Sequence, residues 1–149
     1  MSHIPYAAFS IKKTATQLNI PNNTWTKVTF EAATIDTHSG FDNVNDMYVF
    51  PFSGYWLIGA QLRTHMSTDN RPFYFYICEH ATSPSNVRGI FRYQSGLGSA
   101  HYHTHQVVRG NYYFAAGDPL TLWFTHSNTD KTPDVYLNFT FMWGYYLGL

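Results

Sequence analysis

The run His101-Tyr102-His103-Thr104-His105 is the stretch of this sequence richest in potential chemistry. In an extended strand its three imidazoles share one side, at steps of ~6.6–6.8 Å along the chain. Imidazole nitrogen suits zinc, copper, nickel or iron. His101, His103 and His105 are therefore candidate ligands for a transition metal, and in a threefold assembly successive rungs would surround an ion on the axis. The plainer alternative is an exposed polar edge whose histidines happen to alternate. His3, His38, His65, His80 and His126 are scattered and read as isolated polar or packed side chains.

Other reactive groups are sparse. Asp42-Asn43-Val44-Asn45-Asp46 offers oxygen ligands that calcium accepts, but it lacks the spacing and the glycine of an EF-hand loop and reads first as a solvated turn, only second as a calcium site. Glu31 and Glu79 are the only glutamates, so a carboxylate pair for glycoside cleavage would need aspartates gathered by the fold. Cys78 and His80 are two residues apart, too far along a strand for a tight thiol–imidazole bond, and a buried thiol is the default. No Gly-x-Ser-x-Gly, phosphate-binding loop or Cys-x-x-Cys is present. The expectation is a binding protein, not an enzyme, that requires no cofactor.

Aromatic side chains remain as recognition candidates. Tyr74, Tyr76, Tyr93 and Trp123 fall on the less apolar sides of their segments and would stack on a sugar or anchor in a protein groove. Phe139, Phe141, Trp143, Tyr145, Tyr112 and Phe114 are expected in the core or in an interface between copies.

These residues must be carried by strands. Period-two alternation recurs between turn clusters. Trp56, Ile58, Ala60 and Leu62 alternate with Tyr55, Leu57, Gly59 and Gln61, and Leu120, Leu122 and Phe124 alternate with Thr121, Trp123 and Thr125. At the C-terminus Val135, Leu137, Phe139, Phe141 and Trp143 are expected to face inward, with Tyr136, Asn138, Thr140 and Met142 on the other side. Further strands are expected over 7–13, 24–32, 47–50, 72–80, 87–93 and 101–114, the last with a break or bulge near Gly110. About eight to ten strands in one domain spanning 1–149 fit an antiparallel two-sheet jelly roll.

Composition agrees. Aromatics reach 19% and charged residues only 12%, half the ~25% of ordinary soluble domains. Uncharged polar and aromatic residues suit pleated surfaces and interfaces. Nine basic residues balance nine acidic ones, which gives no reason to expect nucleic acid as a partner. No apolar run approaches the ~20 residues of a membrane-spanning helix, so no membrane insertion is expected. Met1–Tyr6 shows no basic, apolar export signal.

In their order along the chain, four segments resemble the head domains of complement C-one-q and tumour necrosis factor. They are Ala8-Phe9-Ser10-Ile11, Phe50-Pro51-Phe52-Ser53-Gly54-Tyr55-Trp56, Ala116-Gly117-Asp118-Pro119-Leu120-Thr121-Leu122, and Phe139 to Leu147. The resemblance spans nearly the whole chain, with one extra residue before Gly144 and an unusual Pro119. It implies a compact homotrimer that buries the aromatic last strand against neighbouring copies. The alternating histidines are similar to segments that bind metal on the axis of some bacteriophage tail fibres. The expected role is a trimeric recognition or adhesion head on a virion, a fibre or a bacterial surface, binding a cell-surface receptor or glycan. The alternatives are a secreted complement- or cytokine-like ligand, and a metal-dependent lectin or small jelly-roll enzyme.

Overall fold

The computed structural model describes residues 6–66, 72–94, 101–127 and 133–149, with the side chains of residues 66, 92–94 and 101–103 outside that description. The described residues form twelve strands and no helix. These are β1 (Ala8–Lys12), β2 (Thr26–Lys27), β3 (Ala32–Asp36), β4 (Phe41–Asp42), β5 (Met47–Val49), β6 (Gly54–Met66), β7 (Pro72–Cys78), β8 (Val87–Gln94), β9 (His101–Phe114), β10 (Pro119–His126), β11 (Asp134–Val135) and β12 (Phe141–Gly148).

Two antiparallel sheets face each other. In the first, β9, β6, β12, β1 and β3 lie side by side, and β11 extends the β12 edge of β6. The second runs β4-β5-β10-β7-β8, with β2 also pairing β10. Most neighbours are far apart in sequence, as in a jelly roll.

The sequence alternation placed the core correctly in the middle of the chain. Trp56, Ile58, Ala60 and Leu62 are all buried, as are Leu120, Leu122 and Phe124. Between the sheets Phe9 stacks on Tyr48 at 3.7 Å and Phe50 on Phe114 at 4.0 Å, with Trp56 beside Phe50. Lys13 is a buried cation at the end of β1. Its ammonium donates to the Thr29 carbonyl (2.8 Å), Thr29 Oγ1 (2.6 Å) and Glu31 (3.3 Å), pinning that end to the segment before β3. Burial lowers its pKa, and Glu31 opposes the shift.

Two expectations are corrected. The stretch 24–32 is not one strand: only Thr26–Lys27 pairs regularly, and the strand after it runs over Ala32–Asp36. The C-terminal alternation also changes side. Asn138 and Phe139 both adopt left-handed backbone (φ 55° and 66°), which breaks the stretch into β11 and β12 and shifts the parity of everything beyond. Val135 is buried as expected, but in β12 the inward residues are Met142 and Gly144. Phe141, Trp143 and Tyr145 point away from the core, and Phe139 is 57% exposed. The expected bulge is present: opposite Leu57 the register slips between Trp56 and Ile58, and Asn111 takes a positive φ of 65°.

Candidate functional site

The outward face of the first sheet carries a group of apolar side chains that no other described residue covers. β6 contributes Tyr55 and Leu57, β9 contributes Val108 and Tyr113, and β12 contributes Trp143, Tyr145 and Leu147. Cross-strand register brings them together: Tyr55 pairs with Tyr113, Tyr145 with Leu57, and Trp143 and Val108 both with Gly59. Val108 is 52% exposed, Leu147 51% and Tyr113 50%. Tyr55 meets Tyr113 edge to face at 5.5 Å, and the Trp143 indole lies directly over Gly59, where any side chain would collide with it. Gly144 does the same on the inner face, where the Phe9 ring occupies the space a Cβ would need.

The face is graded along the strands. Beyond Gly59 it turns polar: Gln61 accepts a hydrogen bond from Gln106 and donates to the Phe139 carbonyl (2.8 Å), and the Arg63 guanidinium sits 4.9 Å from the Phe139 ring centre. Of the residues expected at an interface or in the core, Trp143 and Tyr145 lie on the apolar part of this face. Phe141 and Phe139 lie on its polar end, Phe114 is fully buried and Tyr112 packs against the core. The sequence reading passed over Tyr55, Leu57 and Val108; their signal was an apolar residue on the side of a strand opposite its core residues.

The histidine run is extended, as expected, within β9. His105 pairs with the buried Leu62 and sits between the rings of Phe73 (4.9 Å) and Phe91 (4.7 Å), on the side facing the other sheet. The side chains of His101 and His103 lie outside the described residues. Among the described residues no group of three or more histidine, cysteine or acidic side chains is placed to hold a metal.

The carboxylates of the acidic loop are taken up by protein donors. Asp42 accepts from the Val44 and Asn45 amides (3.0 Å each) and from the Asn45 side chain (2.8 Å), which lower its pKa, and Asp46 accepts from the Phe30 amide (2.8 Å). This is a self-capped turn. Burial pushes the Cys78 thiol up to about 12, far from the range of a reactive thiolate. His80 is occupied elsewhere: its Nδ1 receives the Thr82 and Ser83 amides (3.2 and 3.1 Å).

The outward face of the second sheet carries the recognition candidates. Tyr74 and Tyr76 are half-buried neighbours, with ring centres 6.4 Å apart, and Trp25 joins Tyr76 at 4.2 Å. Trp123 is not available for stacking. It is only 8% exposed, its indole N–H donates to Thr121 Oγ1 (2.9 Å), and the Lys27 ammonium lies 5.9 Å from its ring centre. The side chain of Tyr93 lies outside the described residues.

No protein-family model matches this sequence, and no curated protein matches it either. Solved structures do. The crystal structure of murine APRIL at pH 5.0 is similar over 96% of this chain and 100% of that one, with a TM-score of 0.62 and 15% identity. The Eiger TNF from S. frugiperda is similar over 96% and 93%, with a TM-score of 0.59 and 11% identity. With two antiparallel sheets in jelly-roll order and near-complete coverage of both structures, this chain has the fold of the tumour-necrosis-factor-like head domains.

Proposed function

We propose that the chain is the head of a homotrimeric, non-enzymatic ligand that acts at the cell surface by binding a protein receptor. The observation that carries this reading is the uncovered apolar face of Tyr55, Leu57, Val108, Tyr113, Trp143, Tyr145 and Leu147. Contiguous exposed aromatic surface of this kind marks an association site. Threefold closure hides it in every copy without creating an open-ended array. The secreted, cytokine-like form of this role is favoured over a virion or fibre tip, because one of the structures this fold resembles is a protein named as a TNF.

Size-exclusion chromatography with light scattering tests the assembly: a mass about three times the 17.2 kDa chain supports it, and a stable monomer overturns it. Binding of the labelled protein to cells tests the partner. Loss of binding after mild protease treatment of the cells supports a protein receptor. Loss after glycosidase treatment alone would instead point to a glycan, with the Trp25, Tyr74 and Tyr76 strip as its natural platform.

A further inference from the structure

A second site lies away from that face, at the mouth where the two sheets part. β8 and β9 are edge strands of different sheets. Between them is a cleft of about 120 Å³, walled by Val87, Arg88, Gly89, Ile90, Arg109 and Tyr112. Arg109 pairs with the fully buried Ile58 on the inward side of β9, while its own side chain is exposed at the open edge of the sheet. Tyr112 pairs with the equally buried Trp56 and packs against the core.

Residues three apart on a regular strand face opposite sides. The Gly110-Asn111 bulge, with Asn111 at φ 65°, is what lets both Arg109 and Tyr112 turn toward the cleft; re-aiming a side chain is a recurring use of such bulges. The facing wall is cut back to match. At Gly89 even a Cβ would come within 3.2 Å of Val107 Cγ2 and 3.3 Å of Arg109 Cγ.

Arg88 completes the cradle. Its Nε donates to Glu79 Oε2 (2.6 Å), its Nη2 donates to the same oxygen, and its guanidinium lies 5.5 and 5.7 Å from the ring centres of Tyr112 and Phe114. Glu79 uses two of the five guanidinium N–H donors and fixes the plane, leaving the others for a ligand. Asp118 is hydrogen-bonded to Glu79, and burial together with this second carboxylate raises the Glu79 pKa against the pull of Arg88. Of the two arginines that line the cleft, Arg88 is ion-paired with Glu79, and Arg109 is the cation turned to the cleft beside it.

We propose that this cleft binds an oxyanion of carboxylate or phosphate size, gripped by Arg109 and Arg88 with the Tyr112 hydroxyl as a further donor. Planar guanidinium forks match those oxygens geometrically. The site belongs to a single copy, so it stands or falls separately from the trimer.

Thermal unfolding and calorimetric titration of the full chain test it, with inorganic phosphate, acetate and chloride compared at matched ionic strength. A saturable rise in melting temperature with phosphate or acetate beyond that with chloride is expected. A preference for phosphate identifies a phosphate ligand, and a preference for acetate identifies the carboxylate of a partner. Arg109→Gln should weaken binding about tenfold or more, the cost of a lost charge-assisted contact. Gly89→Val, which fills the cleft without removing a charge, should abolish binding, with circular dichroism confirming the fold of both variants. Phosphate and acetate acting no differently from chloride, or both variants binding like the parent, would overturn the proposal.

Discussion

Replacing Tyr145 separates an assembly surface from ordinary exposed residues. Tyr145 stands on β12 opposite Leu57 and keeps 43% of its surface exposed. An aromatic side chain buries ~150–250 Å², so association would hide a further ~65–110 Å² of Tyr145. At ~25 cal/mol per Å² that contributes about 2 kcal/mol per copy. Tyr145→Ala therefore removes about 6 kcal/mol from a trimer, about four powers of ten in its dissociation constant. Tyr145→Glu should go further, because three carboxylates would lose hydration on assembly.

The assay is sedimentation velocity or light scattering across a dilution series, with circular dichroism confirming that the monomer stays folded. Ile90→Glu is the control, since Ile90 is just as exposed but pairs with Tyr76 in the other sheet. An unmoved dissociation midpoint for Tyr145→Glu would refute the reasoning. So would equal dissociation of the Ile90 variant.

The inner glycine of β12 is expected to tolerate nothing larger. Gly144→Ala drives a methyl group into the Phe9 ring, which is itself trapped against Tyr48, so it should cost about 1–3 kcal/mol and lower the melting temperature by several degrees. Gly59→Ala meets Trp143 on the open face, where the indole can swing aside, and should cost the isolated fold less. A pH titration of stability should show a histidine component. Burial lowers the His126 pKa although its Nε2 bonds the Ile20 carbonyl at 2.7 Å. The folded state then binds fewer protons than the unfolded chain, so stability should fall as pH drops through the ordinary histidine range near ~6.5. His126→Gln should flatten that limb, and an unchanged slope would count against the assignment.

The sequence alone determined where the long strands of the middle of the chain form and which of their residues face inward. Trp56, Ile58, Ala60 and Leu62 alternate with polar, small or outward aromatic residues, and their burial follows from the period of a strand. The bulge near Gly110 was equally visible, because a glycine followed by asparagine interrupts an otherwise β-branched and aromatic run. The order of four short motifs was enough to point to the head-domain fold that this structure shares with the solved structures it resembles.

Tertiary structure decided three matters that no local pattern encodes. The C-terminal alternation reads unbroken in sequence because both of its sides are apolar or neutral. Only the paired left-handed residues Asn138 and Phe139, fixed where Gln61 bonds the Phe139 carbonyl and the Lys13 amide bonds the carbonyl of the next residue, Thr140, reveal that Trp143 and Phe141 face out. Trp123 looks exposed by parity, but β2 pairs antiparallel with β10 and sets Lys27 directly opposite it. Arg88, Arg109 and Tyr112 meet only because two edge strands of different sheets run side by side, a juxtaposition set by global register. Local periodicity fixes which way a side chain points relative to its own strand, whereas what stands opposite depends on chain segments tens of residues away.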